Sequence, residues 1–291
     1  MSSSQHRRMV VGVDDSPASR AAVAWAARDA SRRGRNITLV HVLPTAEAGE
    51  WMDVPVAEGY LAARKERGRE LLDEALLRVT EAAGAGSAVD VESQLVVDST
   101  VPALVHFSKD AEMVVVGCRG LGTLTGVLLG SVSRGLLHHA HCPVAVIHDS
   151  RPPASDAPVV LGVDGSPTSV AATEIAFDEA SWRGVDLVAV HACSDDNIDI
   201  VDVGWADLET LGAEVLSEQL AGWRDRYPEV RVRSVVARTS PARWIVEQSD
   251  AAQLIVVGSH GRGGFAGMLM GSVSSSVVQA ARVPVIVVRQ C

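Results

Sequence analysis

The stretch "VVVGCRGLGTLTGVLLGSVS", Val114 to Ser133, joins a short apolar run to a loop with five glycines. A near copy, "IVVGSHGRGGFAGMLMGSVS", runs from Ile255 to Ser274. Both copies fit the pattern G-x2-G-x9-G-[ST]. An apolar, β-branched run of this length predicts a buried strand, and glycines directly after a strand are typical of a loop that approaches a ligand closely. Because the pattern occurs twice, the sequence predicts two copies of one structural unit.

The repeat extends over nearly the whole chain. "VVGVDDSPASRAAVAWAARDASRRG" from Val10 aligns with "VLGVDGSPTSVAATEIAFDEASWRG" from Val160, a shift of 150 residues. At the glycine loops the shift is 141 residues, so the second copy is shorter in its middle. The segment "HDSRPPASDAP" between the copies has the proline and small polar residues of a linker. We therefore predict two domains, residues 1–154 and 155–291.

Composition limits the classes of function. The chain has 291 residues, 47% of them hydrophobic, and no apolar run near the roughly 20 residues that a membrane span needs. The opening "MSSSQHRR" lacks the apolar core of a signal peptide, so a cytoplasmic location is expected. A net charge of −10 argues against nucleic acid as a partner. The four cysteines have no paired spacing and are interpreted as reduced thiols.

Each copy alternates short β-branched runs with longer amphipathic ones. In the first copy the predicted strands are "MVVGVD", "ITLVHVL", "VDVESQLVV", "EMVVVG" and "CPVAVIH". The predicted helices are Pro17 to Gly34, about Glu58 to Gly84, Val101 to Lys109 and Ser131 to Ala140, with Ser16 as the first N-cap. The fold class is therefore α/β, with two tandem doubly wound domains. Each is predicted to have a five-stranded parallel sheet with helices on both faces.

Candidate site residues lie at the carboxyl ends of two strands. Asp14 closes the first strand and Gly117 closes the fourth; Asp164 and Gly258 are their equivalents. If those strands are neighbours, both residues face the crevice in which ligands of doubly wound sheets bind. The alternative for each aspartate is that its carboxylate only organises the turn that follows.

The rest of the loop suggests an anion site. Gly117 and Gly120 would allow close approach of a ligand and positive φ where it is needed. Gly130 and Ser131 open a helix, whose unsatisfied N–H groups favour a phosphate, and Ser131 and Ser133 add hydroxyl donors. A flexible glycine-rich connection is the alternative, but two matched spacings argue against it.

The pattern "GVDDSP", "VHV", the glycine loop and "CPVAVIH" resembles the universal stress protein family in its ATP-binding branch. The resemblance covers both halves, and the whole chain is similar to the tandem form of mycobacteria and related bacteria. It implies an adenine nucleotide alpha hydrolase-like fold and one ATP, with Mg²⁺, in each domain.

The resemblance also implies a role for each site residue. It puts Asp14 and the backbone of Val42 near the adenosine and Gly117 near the ribose. Around the phosphates it puts Gly120, Gly130, Ser131 and Ser133. The corresponding residues of the second half are Asp164, Ala192, Gly258, Gly261, Gly271, Ser272 and Ser274.

A nucleotide-dependent regulator of stress response and growth is the function that the resemblance implies, with a regulatory protein partner that the sequence does not identify. It further implies pairing of domains through the last strands, "VAVIH" and "PVIVVR", and a homodimer. The alternative is a slow ATP hydrolase or an adenine-nucleotide transferase. The sequence has no G-x4-G-K-[ST] loop and no H-x-G-H motif, so rapid catalysis is not expected and no catalytic residue is assigned. A ligand-free dimerisation module is a third hypothesis, which the two intact motifs argue against.

Other polar features have simpler interpretations. Arg119 and Arg262 lie inside the loops and face either phosphates or solvent. His138 and Cys142 are four residues apart, but the second half lacks both residues, so no metal site is predicted. The acidic segment at residues 194–202 lacks the EF-hand pattern and is expected to be a solvated loop.

Overall fold

The computed structural model describes residues 8–44, 58–84, 86–120, 129–149, 153–193, 205–261 and 270–289. The chain divides into two compact units, Met1–Asp149 and Ser150–Cys291. The domain limits predicted from the sequence were 1–154 and 155–291. The exact boundary within the linker stays a prediction, because residues 150–152 lie outside the described ranges. The same holds for the acidic segment at residues 194–202, which was expected to be a solvated loop and also lies outside the described ranges.

The first unit is a doubly wound α/β domain. Its elements are β1 (Arg8–Gly12), α1 (Pro17–Arg33), β2 (Asn36–Leu43), α2 (Glu58–Ala83), β3 (Val91–Val97), α3 (Thr100–Phe107), β4 (Met113–Gly117), α4 (Ser131–His139) and β5 (Val144–Ile147). The strands are parallel and ordered β3-β2-β1-β4-β5. Helix α1 packs with α2, and α3 packs with α4. The predicted five-stranded parallel sheet is confirmed.

The second unit repeats this plan. Its elements are β6 (Val159–Gly162), α5 (Pro167–Arg183), β7 (Leu187–Cys193), α6 (Trp205–Leu220), α7 (Trp223–Arg226), β8 (Val232–Arg238), α8 (Pro241–Glu247), a 3₁₀ turn (Gln248–Asp250), β9 (Leu254–Gly258), α9 (Ser272–Ala280) and β10 (Val285–Val288). The strands are again parallel, in the order β10-β9-β6-β7-β8. The first unit lacks the short helix α7 among its described residues; Trp223 of α7 stacks on Phe177, and Tyr227 directly after α7 contacts the same ring at a tilt.

Local sequence signals explain where the first helix begins and ends. The Ser16 side chain accepts a hydrogen bond from Ser19 N at 3.1 Å, and Pro17 occupies the first turn. Gly34 ends the helix at φ 60°, a left-handed conformation that favours glycine. Helix α5 has the same cap, proline and terminal glycine at Ser166, Pro167 and Gly184. The N-cap and the stop predicted for α1 are thus confirmed.

A buried ion pair lies within each of these helices, between residues one turn apart. Arg33 Nε lies 2.8 Å from Asp29 Oδ2, and both side chains are at most 3% exposed. In the second unit Arg183 Nε lies 2.8 Å from Glu179 Oε2, with side chains 5% and 0% exposed. Buried charges of this kind are tolerated only as pairs, because each alone carries a large desolvation cost.

Candidate functional site

The two strands that carry the predicted site residues are neighbours in each unit. Strand β1 pairs with β4 through Met9↔Met113, Val10↔Val114 and Val11↔Val115. Strand β6 pairs with β9 in the same way. The chain leaves β1 toward β2 and leaves β4 toward β5, so the winding reverses between β1 and β4. The crevice expected at a switch point therefore lies where the sequence analysis located Asp14 and Gly117.

The turn after β1 is organised by Asp14. Its Oδ1 accepts a hydrogen bond from Ser16 N at 2.9 Å, and its own N–H donates to Ser19 Oγ at 2.9 Å. Ser16 Oγ in turn donates to Arg119 O at 3.1 Å, which ties the start of α1 to the glycine loop. The carboxylate thus has the turn-forming role that was the alternative interpretation, and only one of its oxygens is used for it.

The second unit builds the same turn with the same geometry. Ser166 N donates to Asp164 Oδ1 at 2.9 Å, and Asp164 N donates to Ser169 Oγ at 3.2 Å. The tie to the glycine loop runs from Ser166 Oγ to His260 O at 3.0 Å. Both copies of the repeat therefore produce one arrangement of carboxylate, capped helix and loop.

The second glycine of each loop lies against the free oxygen of the aspartate. A Cβ built on Gly120 would lie 2.8 Å from Asp14 Oδ2, and one on Gly261 would lie 2.6 Å from Asp164 Oδ2. Any side chain at these positions would displace the carboxylate. The loop backbone and the strand-end carboxylate thus form one continuous wall in each unit.

The first glycine of each loop is required for a different reason. A Cβ on Gly117 would lie 2.7 Å from the backbone carbon of Ala18 and 2.8 Å from Ser19 N, both in the first turn of α1. A Cβ on Gly258 would meet the equivalent turn of α5. None of the four loop glycines described at the strand ends has positive φ, so the freedom that glycine gives at Gly117 and Gly120 is not used for that purpose. Glycine is needed at Gly117 because a helix packs on it.

The far end of each loop returns to the strand end. Gly130 N donates to Cys118 O at 2.8 Å, and the buried Ser133 Oγ donates to Gly117 O at 2.9 Å. In the second unit Gly271 N and Ser274 Oγ both donate to Ser259 O, at 2.8 and 3.0 Å. The hydroxyl hydrogens of Ser133 and Ser274 are thus used to close the loop. The exposed Ser131 and Ser272 remain the hydroxyl groups at the start of each helix.

Helix α4 begins without a side-chain cap. Its N-cap is Gly130, and no side chain accepts from its first amides, in contrast to α1 with Ser16. The N–H groups of a first turn have no partner within the helix. Ser131, Val132 and Ser133 all line the crevice, so these donors are at its wall.

A cleft of about 570 Å³ occupies the crevice of the first unit. Its wall includes all seven residues predicted for the first copy: Asp14, Val42, Gly117, Gly120, Gly130, Ser131 and Ser133. Clefts of a few hundred to about a thousand Å³ are the size that holds small-molecule ligands. Leu104 of α3 and Leu129 add apolar surface to the same wall, so the cleft combines an apolar side with the polar loop.

Among the described residues of the second unit, a cavity of about 200 Å³ lies beside the loop. Its wall includes Thr168, Ser259, His260, Gly261 and Arg289, with Thr168 Oγ1 donating to His260 O at 2.6 Å. Of the predicted residues, Gly261 lines this cavity and Asp164 contacts Gly261. Gly271 and Ser274 close the loop through Ser259 O, Gly258 lies against the first turn of α5, and Ala192 lies on β7.

Sequence reasoning missed three side chains of the first cleft. Arg64 of α2, Arg134 of α4 and His41 of β2 all line it. Comparison of the two copies would have drawn attention to Arg134, which directly follows the motif where the second copy has Ser275. Nothing in the sequence signals Arg64, whose position depends on how α2 packs.

The histidine on β2 holds the strand ends together. His41 Nδ1 lies 2.7 Å from Val13 O, and His191 Nδ1 lies 2.8 Å from Val163 O. Because a carbonyl only accepts, the proton of each ring must be on Nδ1. Gly68 of α2 allows the helix to reach this ring, since a Cβ there would lie 2.9 Å from His41 Cδ2.

Cys118 follows β4 directly and is 1% exposed. Burial raises the pKa of its thiol, so it is protonated at neutral pH. The second unit has Ser259 at this position. Within the described ranges, no three His, Cys, Asp or Glu side chains are grouped so that they could hold a metal ion.

The fold defines a class of protein with two doubly wound α/β domains in tandem. Each domain has a glycine loop at the switch point of its sheet. The chain belongs to the universal stress protein family, whose model matches residues 5–148 and 157–289. It is 51% identical over 288 residues to universal stress protein Rv2623 of Mycobacterium tuberculosis (strain ATCC 25618 / H37Rv), covering 97% of this chain and 96% of that protein.

A universal stress protein of Mycolicibacterium smegmatis is 48% identical over 285 residues, covering 97% of this chain and 96% of its own length. Among solved structures, a universal stress protein from Archaeoglobus fulgidus DSM 4304 matches with a TM-score of 0.71. That match covers 99% of this chain and 100% of the other at 24% identity, so it bears on the fold alone.

Proposed function

We propose that the chain binds ATP, one molecule in each unit, and acts as a nucleotide-dependent regulator in stress response and growth control. One observation supports the proposal above the others. In both units the strand-end carboxylate lies against the second glycine of the loop, at the switch point where doubly wound sheets bind ligands. The contact is present in both copies of the repeat, as a ligand site in each unit requires.

The cleft of the first unit supports a nucleotide in particular. Leu104, Val42 and Leu129 offer apolar surface for a base, and the loop and α4 offer backbone N–H groups for phosphates. The proposed contacts are those of the predicted residues in both units, with Asp14 and Asp164 toward the adenosine. Mg²⁺ is expected to enter with the phosphates, as it usually does, rather than in a site made of protein ligands alone.

The proposal includes a homodimer, a cytoplasmic location and a regulatory protein partner that responds to nucleotide occupancy. No helix in the described ranges combines the length and apolarity of a membrane span. The net charge of −10 disfavours nucleic acid as that partner.

Release of bound nucleotide tests the proposal most directly. Freshly purified protein is denatured, and the released small molecules are identified and quantified by mass spectrometry. We expect about two ATP per chain, one for each proposed site. Mostly ADP would instead favour the slow hydrolase. No released nucleotide, together with no binding of added ATP in calorimetry, would overturn the proposal.

Removing both strand-end carboxylates, by Asp14→Ala with Asp164→Ala, is expected to weaken ATP binding at each site by about 10- to 100-fold. That range corresponds to the loss of one hydrogen bond to a charged group. Calorimetry measures the affinity, and circular dichroism checks the fold. Asp15→Ala is the matched control, because Asp15 forms ion pairs with Arg20 and Arg67 and does not line the large cleft. Unchanged affinity in the double variant would refute the assigned role.

A further inference from the structure

The two units differ in the cations at corresponding positions of their loops. With the 141-residue shift that aligns the loops, Arg119 corresponds to His260 and Arg134 to Ser275. Arg119 and Arg134 both line the cleft of the first unit, where they are joined by Arg64. The described wall of the second cavity has His260 and a single arginine, Arg289. The second loop also carries Arg262, which lies outside the described residues.

Arg119 and Arg134 differ from most other arginines of the first unit. Many of those are held by carboxylates: Arg8, Arg20, Arg33, Arg35, Arg67 and Arg69. Among the residues that the structure describes, neither Arg119 nor Arg134 forms an ion pair, and both side chains belong to exposed residues on the cleft wall. Arg134 also lies in the first turn of α4, where a cation opposes the helix dipole. An anion in the cleft would offset the unfavourable interaction of Arg134 with the helix dipole and would give both guanidinium groups a partner.

We propose that Arg134, with Arg119, makes the first unit select nucleotides by the number of their phosphates, and that the second unit selects less. This inference rests on the proposed function. A guanidinium donates two parallel hydrogen bonds to a phosphate and keeps its charge at any physiological pH. Ser275 offers a neutral hydroxyl at the position of Arg134. His260 offers an imidazole whose Nδ1 lies 2.9 Å from Ser259 Oγ, so one ring nitrogen is already engaged and the ring lacks the paired parallel donors of a guanidinium.

Each site can be measured alone in the full-length chain. Gly261→Ala places a Cβ against Asp164 and disables the second site, whereas Gly120→Ala disables the first by the same contact. Calorimetry with ATP, ADP and AMP on each single-site protein gives the ratio of ATP to AMP affinity. This ratio reports phosphate selection separately from adenosine binding, which all three probes share.

We expect a higher ratio for the first site than for the second. Arg134→Ser, which installs the residue of the second unit, is expected to lower the first site's ratio about tenfold, and Arg134→Lys to restore part of it. The converse change, Ser275→Arg, is expected to raise the ratio of the second site. Arg8→Ser removes the same charge at the opposite end of β1 and is expected to leave the ratio unchanged.

Two results would overturn the inference in different ways. If ATP binds but Arg134→Ser leaves the ratio unchanged, the nucleotide site stands and Arg134 does not set its selectivity. If neither single-site protein nor the unmodified chain binds any of the three nucleotides, the proposed function fails and the inference fails with it.

Discussion

Replacing Glu179 with alanine is expected to lower the free energy of unfolding by about 3 to 5 kcal/mol, the typical cost of removing one partner of a buried ion pair. Glu179 is fully buried in α5, and its carboxylate lies 2.8 Å from Nε of Arg183. Arg183 Nη1 also donates to the amide oxygen of Gln253, at 3.2 Å. An amide carries no charge, so the substitution leaves a buried guanidinium without this carboxylate.

The equivalent change in the first unit, Asp29→Ala, is expected to cost less. Arg33 Nη1 lies 3.2 Å from Glu112, the residue that corresponds to Gln253, so a second carboxylate remains beside the guanidinium. Denaturant unfolding of the full chain, followed by circular dichroism, compares the two variants. An Asp29→Ala loss as large as that of Glu179→Ala would contradict the compensation by Glu112.

A surface pair provides the control for this comparison. Glu247 lies 2.8 Å from Arg243, but both side chains are more than half exposed. Water and salt screen such pairs, so Glu247→Ala is expected to leave the unfolding midpoint unchanged. A loss in this variant similar to that of Glu179→Ala would show that the loss does not depend on burial.

The order of elements could be predicted from the sequence because the local signals agree with the packing. Strands β4 and β5 are apolar throughout, β1 is apolar after Arg8, and the central residues of all three are buried, as the continuous runs indicated. Helix α3 shows the limit of such signals, since it ends at Phe107 and not at Lys109 as predicted. Ser108 stops it: its buried hydroxyl donates to Val105 O at 2.7 Å, and the chain continues as a turn.

The site was predicted less completely because part of it depends on packing between distant elements. The glycine pattern located Gly120 and Gly130 in the first cleft, but the close contact of Gly117 is with the first turn of α1 and could not be inferred from the loop. Arg64 reaches the cleft from α2. No spacing rule connects a residue on one helix to a loop more than 50 residues away, so only the folded structure identifies it.

Alanine substitutions at Gly120 and at Gly117 are expected to have different effects, the first on ATP affinity and the second on stability. Gly120→Ala with Gly261→Ala is expected to reduce ATP affinity at both sites by about 100-fold or more. Each new Cβ lies within 2.8 Å of a carboxylate oxygen, so the aspartate must move out of its position in the wall. The displaced atoms are the ends of side chains, and only the turn hydrogen bonds from Ser16 N and Ser166 N depend on them, so thermal stability without nucleotide is expected to change little.

Gly117→Ala adds the same methyl group but is expected to lower stability. Its Cβ would lie 2.7 Å from backbone in α1, and backbone within a packed helix cannot turn away. Inserting a methyl group into a close contact of this kind costs about 1 to 3 kcal/mol, which thermal unfolding without nucleotide detects as a lower midpoint. Calorimetry then measures ATP binding for both variants at a temperature where both are folded.

The comparison rests on what each methyl group meets, because both glycines have negative or extended φ and neither substitution strains the backbone by itself. If Gly120→Ala lowered the midpoint as much as Gly117→Ala, the Asp14 contact would be part of the core, and its loss could not be separated from unfolding. If Gly120→Ala kept both stability and full ATP affinity, the carboxylate would be free to move without consequence for binding. Only loss of affinity at constant stability agrees with a carboxylate held in place by the glycine backbone for a ligand.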